Sequence, residues 1–112
     1  MLVVTTDSLP GYEVRRVIGE VLGVIARSRN PYVEGIKALT GGLNPKTPLI
    51  LTQWRHEAIG RLIAQAQRQG ANAVLGMRFD NRDVGDYWTE ICAYGTAVLV
   101  APVGVGAGQV AG

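Results

Sequence analysis

The residues of this chain best suited to hold a metal ion are Glu20, Glu90 and Cys92, and none of them lies in a metal-binding motif. Cys92 is the chain's one cysteine and His56 its one histidine. A metal site needs several converging Cys, His, Asp or Glu ligands, and these residues are not at a ligand spacing. Within one chain Cys92 is best explained as a small buried hydrophobe. In a ring of identical chains, each of these ligands would be repeated around an axis.

Arginines form a second group of candidates. Arg16 and Arg78 could form rings that bind an anion. Arg27 and Arg29, in the run ARSRN, lie on one side of a strand end and could bind a phosphate or carboxylate. A salt bridge between subunits is the favoured explanation for this pair. The candidate binding residues are therefore Arg16, Glu20, Arg27, Arg29, Arg78 and Glu90.

No catalytic motif is recognisable. Cys92 would need a base and an oxyanion hole to act as a nucleophile. Asp80, Asp83 and Asp86 lack the alternation of a calcium loop and are typical of a solvated hairpin loop. The Gly-rich runs TGGLNP and GVGAGQ do not match a phosphate loop. The sequence favours a non-enzymatic protein, and the alternative is an enzyme whose active site, using Cys92 or Glu90, is shared between chains.

Composition limits the class of protein. The chain has 112 residues, which predicts one domain. Hydrophobic residues make up 47% and charged residues only 18%, so some apolar surface is expected to be buried between copies. The net charge of +2 comes without a basic run, which disfavours nucleic-acid binding. A single cysteine, no signal-peptide pattern in residues 1–20 and no membrane-length apolar run predict a cytoplasmic protein without membrane partners.

The pattern of apolar residues predicts the elements. Residues 14–26 are predicted to form a long strand that is apolar on both faces. The pattern of residues 31–39 is ambiguous and could be a short helix, and residues 40–46 are predicted to form a loop. A helix follows from Pro48 to Gln69, with Thr47 as N-cap and Gly70 as the stop. The apolar face of this helix is predicted to contain Leu51, Trp54, Ala58, Leu62 and Ala66.

Two more strands follow the helix. In the third strand, alternation places Ala73, Leu75, Met77 and Phe79 on one face and Val74, Gly76, Arg78 and Asp80 on the other. The final strand runs from about Tyr87 to Val100 and pairs with the third across Asp80–Asp86. The prediction is an α+β domain over residues 1–101: an antiparallel sheet in β-β-α-β-β order with one long helix on one face. Residues 102–112 are predicted to form a flexible Gly/Ala-rich tail.

The other sheet face then lacks a cover. If the residues of the second strand alternate strictly, Arg16 and Glu20 lie on this face together with apolar residues that are exposed to water. We expect Ile91, Ala93, Ala97 and Leu99 to face the helix, which places Glu90, Cys92 and Tyr94 on the uncovered side. The exposed apolar residues are expected to be Val14, Ile18, Leu22 and Val24. Such a patch usually marks an interface, so we expect Arg78 to sit at a subunit contact, where it could pair with Glu20 or Glu90 of the same chain or of a neighbour. The alternative is that Arg78 simply reaches bulk solvent past the sheet edge.

Four segments together resemble the YbjQ-like family. They are TTDSLPGYEV, GVIARSRN, EAIGRLIAQAQRQGANAVLGMRFD and TEICAYGTAVLV, and the resemblance spans Val3 to Val100. It implies a dodecin-like subunit fold, a homo-pentamer or stacked pentamers, and a divalent or heavy metal as the cofactor to test. It implies no catalytic mechanism. The Pro-containing helix start and the pair Tyr87 and Trp88 depart from the family pattern.

Overall fold

The computed structural model describes residues 1–28 and 47–104, which form a four-stranded sheet with a long helix packed on one face. The elements are β1 (Leu2–Val3), β2 (Tyr12–Ser28), α1 (Thr47–Arg68), β3 (Ala73–Val84) and β4 (Trp88–Pro102). The sheet order is β1-β3-β4-β2. The predicted α+β fold is confirmed. The three long strands are antiparallel as expected, whereas β1 pairs with β3 in parallel.

Helix α1 packs on the sheet through its predicted apolar face. Ala58, Leu62 and Ala66 are fully buried against the sheet, and Trp54 packs beside them. The helix ends one residue before the predicted Gln69, and Gly70 adopts the left-handed conformation (φ +85°) that closes a helix. Leu51 was expected on the apolar face of the helix but is 43% exposed.

A glycine lets the helix approach the sheet closely. A Cβ atom on Gly23 of β2 would lie 2.1 Å from the carbonyl oxygen of Ala58 and 2.4 Å from the amide nitrogen of Leu62. Both neighbours are backbone atoms of α1, so no side-chain rotation could relieve the clash. The sheet therefore accepts the helix at this distance only with glycine at position 23.

Irregular pairing changes which residues share a face. In β3 a one-residue bulge at Gly76 (φ +60°) puts Val74 in the helix-side core with Met77, while Ala73 and Leu75 pack on the opposite side. The strict alternation predicted for this strand is therefore wrong before the bulge and correct after it.

Strand β2 contains two further irregularities, between Val14 and Arg16 and between Val17 and Gly19. Each inserts one residue and reverses the faces. Arg16 consequently pairs with Leu99 and does not share a face with Glu20. Ile18, expected to face water, packs against the helix-side core instead.

The hairpin between β3 and β4 is tighter than predicted. Strand β3 continues through Asp80 and Asp83 to Val84, which pairs directly with Trp88. The expected polar loop shrinks to residues 85–87, where Gly85 takes a positive φ of 65°. Ladder pairing thus extends into a polar sequence that the helix does not cover.

A small second core lies on the sheet face opposite α1. Val4 and Leu9, from the segment after β1, pack there against Ala73, Leu75, Val98 and Val100. The chain thus covers one end of this face itself. In β4, Ile91, Ala93 and Ala97 face the helix as expected, whereas Leu99 is 39% exposed and lies outside the core.

Several predictions concern parts of the chain that are not described. The short helical stretch at 31–39, the loop at 40–46, Arg29 and most of the Gly/Ala-rich tail lie outside the described residues. Within residues 1–28 and 47–104, no helix is both long enough and apolar enough to span a membrane.

Candidate functional site: the open face of the sheet

The sheet surface opposite α1, here called the open face, brings together many of the candidate residues. Register pairs on neighbouring strands share a face, so the pairing defines its rows. One row is Leu22–Tyr94–Arg78, the next is Val24–Cys92–Asp80, and the third is Ala26–Glu90–Arg82. Glu20 precedes them, opposite Thr96. The structure therefore places Glu20, Arg78, Glu90 and Cys92 on one surface.

Large apolar side chains on this surface lie in water. Val17 is 65% exposed and Leu22 is 43% exposed. Together with three neighbours they form a band, crossed by the polar row Glu20–Thr96, that we call the apolar stripe: Val14, Val17, Leu22, Val24 and Tyr94. A monomeric protein rarely exposes five large apolar side chains on one sheet face.

Cys92 lies beside the apolar stripe within an acidic environment. Asp80 stands directly opposite it on β3, and Glu90 is two residues away on the same strand face. Burial raises the pKa of the Cys92 thiol, and the negative charges of Glu90, Asp80 and Glu20 raise it further. Since these carboxylates disfavour a thiolate anion, the same site attracts a cation, which would reverse that effect.

The carboxylate of Glu90 has one neighbour of opposite charge. An Arg82 guanidinium nitrogen lies 3.4 Å from Glu90 Oε2, and the arginine side chain is two-thirds exposed. Exposed ion pairs of this length contribute little. Glu90 is therefore available to a stronger cation.

Arg78 makes a different contact from the one predicted. Its Nη1 donates to the carbonyl oxygen of Thr5 at 2.6 Å and to that of Met77 at 2.9 Å, not to Glu20 or Glu90. The backbone beside it is held in the same way, because the amide nitrogens of Gly76 and Met77 donate to Thr6 and Val4. Arg78 thus fastens the N-terminal segment onto the bulge of β3.

We predict that Arg78→Ala lowers the free energy of unfolding by about 1 kcal/mol, the typical value of one hydrogen bond. The larger effect should be local. Amide hydrogen exchange at Gly76 and Met77 should become faster, because the segment that caps them is released.

Arg82→Ala is the matched control for this experiment. It removes an exposed arginine from the same strand and should leave exchange at Gly76 and Met77 unchanged. Equal acceleration in both variants would contradict the fastening role of Arg78.

The remaining arginine candidates do not gather on the open face. The irregularities in β2 place Arg16 opposite Leu99, on the sheet face that bears α1 and not on the open face. Arg27 forms an ion pair within the chain with Glu57 of α1, and the salt bridge between subunits stays a prediction. With Arg78 also engaged, the described residues of one chain offer no cluster of free cations to an anion.

One chain alone also offers no complete metal site. Across residues 1–28 and 47–104, no three His, Cys, Asp or Glu residues stand where they could jointly hold an ion. His56 is exposed on α1, on the far side of the sheet from Cys92. Within the described residues, one chain can therefore bring at most two of Cys92, Asp80 and Glu90 to a single ion, and the helix-bearing side adds no further ligand.

A groove of about 300 Å³ opens at the other end of the open face. Its walls are mostly apolar, and the carboxylate of Asp7 stands at its edge, close to Gly76. The lining residues are Asp7, Val14, Val17, Leu75, Gly76, Thr96 and Val98. The sequence did not reveal this groove, because it is created by the bulges in β2 and β3 and by the path of residues 4–9.

The chain is similar in sequence to known proteins over most of its length. The family model YbjQ_1, described as "Putative heavy-metal-binding", matches residues 1–101. A UPF0145 protein of Streptomyces coelicolor is 49% identical over 104 residues, covering 90% of this chain and 98% of that protein. A UPF0145 protein of Acidothermus cellulolyticus is 44% identical over 104 residues, covering 90% of this chain and 96% of its own length.

The fold also matches a solved structure. A crystal structure of a protein of unknown function from Pediococcus pentosaceus, of the DUF74 family, superposes with a TM-score of 0.62. The two sequences are 17% identical, and the match covers 89% of this chain and 97% of that one. At this identity the similarity bears on the fold alone.

Proposed function

The chain belongs to the YbjQ-like family, and from this premise we propose that it is a non-enzymatic homo-oligomeric ring that binds a thiophilic divalent metal ion between subunits. The single observation that carries the proposal is the position of Cys92. The chain's one thiol lies next to Asp80 and Glu90, on a sheet face whose apolar stripe needs a cover. A pentamer is the proposed assembly.

The shape of the subunit supports an assembly. Its radius of gyration is 18.4 Å, whereas a compact domain of about 100 residues has a radius of about 13 Å. The subunit is extended because β2 and the β3–β4 hairpin run beyond the helix that covers them. Long, partly uncovered strands with an apolar stripe are stabilised when neighbouring copies bury them.

The chemistry of the open face supports a soft cation. A thiolate favours zinc or a heavier thiophilic metal, and carboxylates add charge compensation. Because the described residues of one chain bring at most two of Cys92, Asp80 and Glu90 to one point, ligands from a second copy would complete the coordination. A metal-binding thiol also has to stay reduced, so the proposal includes a cytoplasmic location.

The same chemistry disfavours the enzymatic alternative. A catalytic cysteine needs a lowered pKa so that the thiolate is present at neutral pH. Burial and three carboxylates raise the pKa of Cys92 above its ordinary value of 9.0. Without a metal, Cys92 is therefore protonated at pH 7 and is a weak nucleophile.

The proposal predicts that Zn²⁺ or Cd²⁺ added to the metal-free protein binds to a multimer and that Cys92→Ser weakens binding at least tenfold. Binding should tighten as the pH rises from 6 to 8, because the metal must displace the thiol proton. Native mass spectrometry and calorimetric titration before and after dialysis against a chelator measure both quantities.

Thr89→Ala provides the control, since Thr89 lies on the same strand beside Glu90, outside the groove, and is a poor ligand. This variant should keep wild-type metal affinity. A multimer that binds no added metal would support the proposed oligomer and contradict the proposed metal binding. A wild-type protein that is a monomer at micromolar concentration would overturn the proposal as a whole.

A further inference from the structure

The groove on the open face has the chemistry of a receptor for a basic side chain. Val14, Val17 and Val98 form apolar walls, and Asp7 supplies the one charged group among the lining residues. Within the described parts of the chain, no contact neutralises the Asp7 carboxylate. A long side chain with an aliphatic stem and a cationic head fits such a groove.

The opposite surface of the same subunit carries such a side chain. Arg68, in the last turn of α1, lies two residues after the buried Ala66, which turns it about 200° away from the sheet. It is exposed, and no described residue pairs with it. Gly60 and Ala64 stand at i−8 and i−4 on this outer helix surface, where their small side chains leave a flat approach.

Arg68 and the groove lie at the same level of the subunit. After α1 the chain re-enters the sheet at Ala73, which pairs with Val98. Val98 and its neighbour Thr96 line the groove. Arg68 and Asp7 are therefore at the same height but on opposite sides of one subunit.

We infer that copies of this chain pack head to tail, with the outer surface of α1 on the open face of the next copy and Arg68 entering the Asp7 groove. This inference rests on the proposed homo-oligomer and names its contact. A contact between two different surfaces of identical chains repeats from copy to copy, and it closes into a ring when the rotation between copies divides a full turn. It also covers the apolar stripe, which continues from Val14 and Val17 in the groove.

The edge of β2 argues against the main alternative, in which strands of neighbouring copies pair directly. The amide nitrogen of Leu22 donates to Gln65 Oε1 at 2.6 Å, and the carbonyl oxygen of Val24 accepts from Arg61 at 3.0 Å. Towards its start, the strand is interrupted by two bulges. Bulges and occupied backbone groups are the usual means of blocking edge pairing. Strand pairing at the β2 edge is therefore disfavoured, which favours a side-chain contact through the sheet face.

Charge reversal tests the pairing directly. Asp7→Arg and Arg68→Asp, each alone, should weaken assembly at least about tenfold, because each places like charges in contact. The double variant restores an opposite pair and should assemble within about threefold of wild type. Both residues are exposed in the single chain, so the variants should retain native circular dichroism. Analytical ultracentrifugation of the full chain gives the dissociation constants.

The specificity control combines Asp7→Arg with Arg61→Asp, a reversal two turns earlier on the same helix. This combination should not rescue assembly. If wild type is a multimer but the Asp7/Arg68 double variant is no better than the singles, the inference fails and the proposed function stands. If wild type is a monomer, both fail. If either charge reversal disturbs folding, the neutral variants Asp7→Asn and Arg68→Gln replace them. Their losses of assembly affinity should then be non-additive in the double variant, and additive losses would contradict the pairing.

Discussion

Gly23→Ala should destabilise the protein by about 3 kcal/mol or more, the upper range for overpacking a core. The added methyl group would fall 2.1 Å from the Ala58 carbonyl oxygen and 2.4 Å from the Leu62 nitrogen. These are backbone atoms, so relief requires the whole helix to move away from β2. That movement would open the core around Ala58 and Leu62, both fully buried. Urea unfolding followed by circular dichroism measures the loss.

Gly60→Ala is the matched control for this prediction. Gly60 lies inside α1, and a Cβ atom there would meet nothing within 4 Å. Alanine is favoured over glycine in a helix interior by about 1 kcal/mol, so this variant should be more stable than wild type. If the two glycine variants shift the urea midpoint in the same direction and by the same amount, α1 does not approach β2 at Gly23.

The periodic parts of the fold could be predicted from the sequence because local physics decides them. The positions of Ala58, Leu62 and Ala66 follow from the helical repeat, and Gly70 follows from the need for a left-handed residue at the helix end. The prediction is wrong at Leu51, which is exposed although it lies within the helix and at the repeat position. The spacing of apolar residues predicts that a helix forms, whereas the burial of each side chain depends on the part of the protein that packs against it.

The errors in the sheet have a common physical cause. Each bulge reverses the faces of the strand beyond it, and a glycine such as Gly19 or Gly76 signals a bulge without fixing its side or length. Arg16 was misplaced for this reason. Cys92 and Glu90 were placed on the open face correctly because β4 pairs with β2 without interruption from Glu20 to Ser28.

Contacts distant in sequence set the remainder of the candidate site. Arg78 bonds to Thr5, which is 73 residues away, and no local pattern predicts that contact. The Asp7 groove likewise depends on residues from the N-terminal segment and from three strands. The sequence thus supplied the chemical groups of the open face, and only the fold shows which of them remain unpaired.

The remaining prediction concerns the apolar stripe. Val17→Asp and Leu22→Asp, made separately, should convert the multimer into a folded monomer. Both side chains already lie in water in the single chain, at 65% and 43% exposure, so a carboxylate there costs the subunit little. In the assembly the same carboxylate would have to leave water without a partner, which costs several kcal/mol for each copy. Light scattering after size exclusion gives the mass, and circular dichroism verifies the fold.

Tyr87→Asp separates this effect from a general response to added charge. Tyr87 is 52% exposed in the turn between β3 and β4, so it matches the stripe residues in exposure but lies outside the stripe. This variant should keep the wild-type mass. If Val17→Asp and Leu22→Asp also keep it, the open face is not the contact surface, and Asp80, Glu90 and Cys92 cannot be joined there by ligands from a second copy. The oligomer and the metal site therefore depend on the same surface, because neither is complete within one chain.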